Sequence, residues 1–218
     1  YGKEKIRVKV IIMKAVVICA GERCSDELLF AQCKEADLLI CADAGLDWAI
    51  EKGLKPDVFV ADGDSTRVNV PDYCEFHPLP VMKDETDGEV AAKLAVERGC
   101  GQVVLLGGMG KRLDHTLGNI QVLVGLKMMG ATGELMDDQN IVTVTCTGGY
   151  YRGKKGDLLS IVPLGVNVNI RATSGLLYPL IDSDLVLHAP RGISNEFTED
   201  VAAVDVRDGW VAIIRARD

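Results

Sequence analysis

The period of the apolar residues changes once along this chain, near residue 140, and that change limits what each half can fold into. Up to about residue 137, short apolar runs at 15–20, 37–42, 57–61, 102–106 and 133–136 alternate with amphipathic stretches. Val90, Ala91, Leu94 and Ala95 are spaced for one helix face, as are Leu117, Ile120, Val124 and Met128. Strand–helix alternation predicts an α/β fold, a mostly parallel sheet flanked by helices, with ligands beyond the carboxyl ends of its strands. After Asn140 the period falls to two: Val142, Val144 and Cys146 alternate with threonines, and residues 166–171 alternate cleanly. Asp208-Gly209, between 204–206 and 210–213, reads as a hairpin turn. The tail therefore reads as a C-terminal antiparallel β-sandwich. The expected division is an α/β domain over 13–139 and a sandwich over 140–218, with 1–12 an extension, native or left over from expression.

Composition narrows the partners. The 218 residues suffice for one large domain or two small ones, and 48% hydrophobic with 26% charged residues is ordinary for a soluble globular chain. A formal net charge of −8 without a basic stripe argues against nucleic acid. Seven cysteines stand singly at 19, 24, 33, 41, 74, 100 and 146, with no CxxC pair, which points to a reducing cytoplasm rather than a disulfide framework or zinc knuckle. Lys3, Lys5, Arg7 and Lys9 before an apolar run at 10–20 resemble a secretory signal, but Lys14 interrupts it and no stop-transfer length follows, so no membrane partner is expected.

Four acidic clusters fall on one edge of the expected sheet. Asp43 (in ADAG) follows the second strand, Asp62 and Asp64 (in VADGDST) follow the third, Asp84 and Asp87 (in KDETDGE) open a helix, and Asp114 follows the next strand. Each alone has an ordinary explanation: Asp87 and Asp114 as helix N-caps, Asp62 and Asp64 as an Asx-turn. Together they would repel one another unless cations sit among them, and oxygen-only ligands suit a hard ion, magnesium above all. The complement is Gly107-Gly108-Met109-Gly110-Lys111-Arg112, which runs from a strand into a helix and offers backbone N–H groups and two cations to phosphate. It is not a P-loop, because Arg112 stands where Ser or Thr should follow GK. Carboxylates facing glycines, Lys and Arg describe a nucleotide–Mg2+ site.

These residues resemble the thiamine pyrophosphokinase family. The matching pieces are CADAG (41–45), ADGDS (61–65), KDETD (83–87), GGMGKRLDHTLGN (107–119), DQN (138–140) and GISNEF (192–197), in the family's order and over nearly the whole chain beyond Met13. The resemblance implies an α/β domain followed by a β-sandwich, a homodimer with thiamine near the subunit interface, and diphosphate transfer from ATP to thiamine with release of AMP. It implies that Asp43, Asp62, Asp64 and Asp87, with Asp84, hold Mg2+ and the transferring phosphates. Arg112 and Asp114 would act at the reaction centre. ATP would be bound by Gly107, Gly108, Gly110, Lys111 and Arg112 of the glycine loop together with His115 and Asn119. Lys83, Asp87, Ser194, Asn195 and Trp210 would line the thiamine side. Ala61 and Gly63 depart from the family pattern, which has glycine and a bulky apolar residue around the first aspartate.

In this reading the thiamine hydroxyl attacks the β-phosphorus in line, Lys111 and Arg112 meet the developing charge, and either Asp114 or Asp87 orients or deprotonates the hydroxyl. Trp210 is either a cation–π face for the thiazolium or ordinary sandwich core. Two alternatives compete. DGDST fits the DxDxT pattern of haloacid-dehalogenase-like phosphatases, though after the third strand rather than the first. A non-catalytic nucleotide- or vitamin-binding module on the same fold is the other.

Overall fold

Ala15, Val16, Val17 and Ile18 are all fully buried, so Met13–Ile18 (β1) is covered on both faces, as only a central strand of a parallel sheet is. The computed structural model describes residues 12–62, 69–80, 82 and 84–217. After β1 come Asp26–Lys34 (α1), Leu38–Ala42 (β2), Gly45–Glu51 (α2), Val58–Ala61 (β3), Glu75–Pro78 (β4), Asp87–Glu97 (α3), Cys100–Leu106 (β5), Leu113–Met128 (α4) and Thr132–Met136 (β6). The rest is strand: Asn140–Thr145 (β7), Gly148–Arg152 (β8), Leu158–Pro163 (β9), Asn167–Ser174 (β10), Ile181–Val186 (β11), Asn195–Glu196 (β12), Val201–Asp208 (β13) and Val211–Ala216 (β14).

One ten-stranded sheet runs through both halves in the order β12-β9-β14-β7-β6-β5-β1-β2-β3-β4. From β6 to β4 every neighbouring pair is parallel. Residue 139 ends the turn, and Asn140 begins β7, which folds back antiparallel on β6. The chain first builds outward from β1 to β4, then returns to lay β5 against the other side of β1. The gap between the carboxyl ends of β1 and β5 is therefore a topological switch point, where open α/β sheets bind ligands.

Alternation along β1 sorts two helical layers. Ala15 and Val17 face α3 and α4 through Ala91, Ala95, Leu123 and Leu126. Val16 and Ile18 face α1 and α2 through Leu29, Leu46 and Trp48. Beyond β7, a four-stranded antiparallel sheet, β11-β10-β13-β8, covers the large one. Leu159, Ile161, Val211 and Ile213 meet Val168, Ile170, Val204 and Val206 across this sandwich core. Among the described residues, no helix is long and apolar enough to cross a membrane.

Three local expectations are corrected. Asp208-Gly209 is not a hairpin turn: β13 pairs with β10 and β8 in the small sheet, whereas β14 pairs with β7 and β9 in the large one. Gly209 (φ 85) supplies a sharp reversal in either case. What decides is that Val204, Val206, Val211 and Ile213 all point into the same core, so the two strands face each other across it. On α4 the buried residues are Asn119, Leu123 and Leu126, while Leu117 is 55% and Met128 76% exposed. The apolar residues of this helix nearly encircle it, so spacing alone does not fix its inward face. Strand β4 was not anticipated, because its pattern of mostly exposed residues is that of an edge.

Candidate active site at the switch point

Gly21 and Gly107 bring the two switch-point loops into backbone contact. The Cys19, Gly21 and Glu22 N–H groups donate to the Leu106, Gly107 and Met109 carbonyls at 2.8, 2.7 and 3.0 Å. A Cβ on Gly21 would lie 2.4 Å from the Gly107 oxygen, and one on Gly107 (φ 65) would lie 2.7 Å from the Cys19 oxygen. Only glycine permits this approach. Asn119, buried on α4, donates from Nδ2 to the Gly108 carbonyl at 2.6 Å and holds the loop from behind.

The zipped loops wall a cavity of about 450 Å³ that gathers residues from the ends of β1, β2, β3 and β5 and from α3 and α4. Asp43 enters it after β2, Asp62 after β3, and Asp87 as the first residue of α3; Lys111 and Arg112 enter beyond the glycine loop, and His115 and Asn119 from α4. Asp43 is left-handed (φ 55), a conformation aspartate tolerates better than most residues and one that recurs at ligand sites. Gly45 follows it because a Cβ there would stand 2.1 Å from the Ile18 carbonyl. Cys19 lies on the cavity floor; burial first, and then the charge of Asp43, push its thiol up to about 12.

Neither expected aspartate is a helix cap. Thr86 caps α3, its Oγ1 accepting from the Glu89 N–H at 3.2 Å, and Arg112 occupies the cap position of α4. Asp114 instead grips Arg112: Nε donates to Oδ1 at 3.1 Å and Nη2 to Oδ2 at 2.6 Å. That pair holds the Asp114 carboxyl down at about 2 and raises the Arg112 guanidinium further.

The remaining candidates are dispersed. Asp84 and Asp114 border an adjoining groove between α3 and α4, which shares Thr86, His115 and Asn119 with the cavity. Ser194, Asn195 and Trp210 belong to the sandwich and do not line the cavity of their own chain. The Asn195 side chain is occupied locally: Nδ2 donates to the Tyr178 carbonyl at 2.7 Å, and Oδ1 accepts from the Tyr178 and Glu196 N–H groups, each at 2.9 Å. Trp210 packs half-buried beside the core under α3 and α4. Asp64, Lys83 and Gly63 lie outside the described residues. Sequence reasoning passed over Thr86 and Gly21; Thr86-x-x-Glu89 is a readable capping box, but Gly21 carries no local signal.

Among the described residues, no three or more His, Cys, Asp or Glu side chains stand close enough to hold a metal unaided. Asp43, Asp62 and Asp87 nonetheless suit a magnesium-type ion, which takes one or two carboxylates and completes its shell with water and substrate phosphates.

A parallel-sheet switch point with carboxylates on one side and a glycine–lysine–arginine loop on the other defines a phosphate-transferring α/β enzyme. The model of the thiamin pyrophosphokinase catalytic domain matches residues 30–133, and that of the thiamin pyrophosphokinase vitamin B1 binding domain matches 149–211. The chain belongs to the thiamine pyrophosphokinase family. It is 27% identical over 191 residues to the thiamine pyrophosphokinase of Bacillus subtilis (strain 168), covering 84% of this chain and 89% of that one. The crystal structure of the Bacillus subtilis thiamine pyrophosphokinase superposes with a TM-score of 0.78 at 23% identity, covering 94% of this chain and 99% of that one. Thiamin pyrophosphokinase from Candida albicans gives 0.79 at 15% identity, covering 94% and 90%. Membership sets aside the phosphatase reading of DGDST.

Proposed function

We propose that the chain transfers a diphosphate from ATP to the hydroxyl of thiamine, forming thiamine diphosphate and AMP. The observation that carries this is the single cavity in which Asp43, Asp62 and Asp87 confront the loop from Gly107 to Arg112, in a chain matched by both family domains. The hydroxyl oxygen attacks the β-phosphorus, the bond to the α,β-bridging oxygen breaks, and AMP departs with that bond's electron pair. Glycine-loop N–H groups and Lys111 cradle the phosphates, and Arg112 meets charge on the transferring group. Asp43, Asp62 and Asp87, joined by Asp64, would hold Mg2+, whose chemistry is to neutralise and align the phosphate oxygens.

Asp87 is the better candidate to take or orient the hydroxyl proton, because it lines the cavity whereas Asp114 borders the groove. A carboxylate held near 2 by Arg112 is also a poor base near neutral pH. Asp114 acts instead by holding the guanidinium in place. Because Ser194, Asn195 and Trp210 do not line their own chain's cavity, thiamine would meet them across a homodimer interface. The seven free cysteines suit a reducing, cytoplasmic setting.

The test is incubation with Mg2+, ATP and thiamine, expecting AMP and thiamine diphosphate in equal amounts. Binding of both ligands without AMP would leave only a non-catalytic module. Dimerisation is checked by mixing Asp62→Asn with Trp210→Ala; recovered activity requires sites shared between copies.

A further inference from the structure

Asp138 lies outside the cavity, on the turn between β6 and β7, and the mechanism gives it no task. Its carboxylate accepts twice from one residue, from the Ser25 N–H at 2.7 Å and from the Ser25 hydroxyl. Ser25 is also the N-cap of α1, its Oγ accepting from the Leu28 N–H at 3.3 Å. The hydroxyl is thus fixed as donor and as acceptor at once, which pins the end of the loop leading out of β1.

That loop is the cavity wall zipped onto the glycine loop through Cys19, Gly21 and Glu22. With no space at Gly21 for even a Cβ, any displacement of the wall passes directly to the Gly107 and Met109 backbone. Two further anchors tie the same loop to the α2 side. Arg23 pairs with Glu51 at 2.8 Å and lies 5.9 Å over the Trp48 ring, and Cys24 is buried in the core there. Asp138 supplies the opposing tie, from the turn that leads into the sandwich.

We infer that Asp138, acting through Ser25, is a positioning residue for the phosphate-binding loop, so that it governs the hold on ATP and not on thiamine. Naming ATP rests on the function proposed above. Asp138→Asn keeps the shape but offers a single acceptor where Ser25 presents two donors. It raises KM for ATP about fivefold, with KM for thiamine within about twofold of the parent, the scale expected for one solvent-exposed, charge-assisted hydrogen bond. Ser25→Ala does the same, Ser25→Thr restores near-parental values, and the double variant Ser25→Ala/Asp138→Asn is no worse than the worse single change. In hydrogen exchange, the Gly21 and Glu22 amides of Asp138→Asn lose protection. Additive effects, an equal rise in KM for thiamine, or unchanged exchange at Gly21 and Glu22 would overturn the inference. If the parent protein forms no AMP, the proposed function fails, while the exchange measurement still decides the positioning role.

Discussion

The Gly21 N–H donates to the Gly107 carbonyl at 2.7 Å, the middle of three backbone hydrogen bonds that join the loop after β1 to the loop after β5. A side chain at Gly21 has nowhere to go, since its Cβ would sit 2.4 Å from that oxygen and 2.9 Å from the Met109 oxygen. Both obstacles are backbone, so they cannot swing aside. Gly21→Ala therefore separates the loops. We expect a loss of about 1–3 kcal/mol in stability, the usual cost of forcing a methyl into a filled site. Turnover falls further than stability predicts, because the cradle itself is displaced. Urea unfolding together with AMP release measures both; parental values in each would refute the zipper.

How far the sequence disclosed this arrangement depends on how local each signal was. Buried central strands are visible directly: β2 is apolar throughout, and β1 is apolar but for the charged Lys14 near its start. Strand β4 was invisible because it is a mostly exposed edge, paired among the described residues with β3 alone. Asp208-Gly209 was misread because its turn chemistry is local, whereas the sheet each flanking strand joins is decided by Val204, Val206, Val211 and Ile213 converging on one core. At the site, the glycine–lysine–arginine loop and its facing aspartates were legible as residue types at strand ends. The grip of Asp114 on Arg112 and that of Asp138 on Ser25 were not, since polar pairing across turns leaves no periodic trace.

Asp43 calls for a particular substitution. Its φ of 55 favours Asn over Ala, because Asn shares the tolerance for left-handed backbone. Asp43→Asn and Asp62→Asn are expected to fold with parental melting temperature and to lose AMP formation by about a hundredfold or more, the scale of removing a group that stabilises transition-state charge. Asp43→Ala should lose stability as well. Near-parental turnover of Asp62→Asn would remove the carboxylate from the proposed cation site.

Buried thiols predict an alkaline limit to stability. Burial lifts Cys19 to about 12 and Cys24 to about 11 from an ordinary 9.0. A thiol whose folded pKa is raised keeps its full contribution below the unfolded value; the contribution is lost as pH climbs from about 9 toward the folded value. Unfolding free energy should therefore fall from about pH 9 upward, less steeply in Cys19→Ala once corrected for the lost packing. At pH 8 a thiol reagent should label Cys19 only at the rate of opening or unfolding.

Arg112 and Asp114 give a pH test of the opposite sign. The Arg112 guanidinium lowers the Asp114 carboxyl from 3.8 to about 2, so their contact survives above that range and weakens only as pH falls toward 2. Asp114 thus adds no ionisation to the activity profile between about pH 5 and 8. Asp114→Asn should lower kcat by about tenfold through a less well-held Arg112, without moving the acid limb. A shifted acid limb in that variant would reinstate Asp114 as the proton acceptor.

Asn119 gives the last discrimination, between support of the loop and direct contact with nucleotide. Its Nδ2 reaches the Gly108 carbonyl at 2.6 Å from a buried position on α4. Asn119→Ala leaves that carbonyl without its donor beside the cavity, at an expected cost of about 1–3 kcal/mol, and raises KM for ATP. Asn119→Asp should be worse than Ala, because an ionised carboxylate has no proton to donate and would face the Gly108 oxygen as a second acceptor. If Asn119 served ATP alone, both variants would keep parental stability in urea unfolding and differ only in KM. A drop in unfolding midpoint that deepens from Ala to Asp marks the side chain as the brace of the glycine loop.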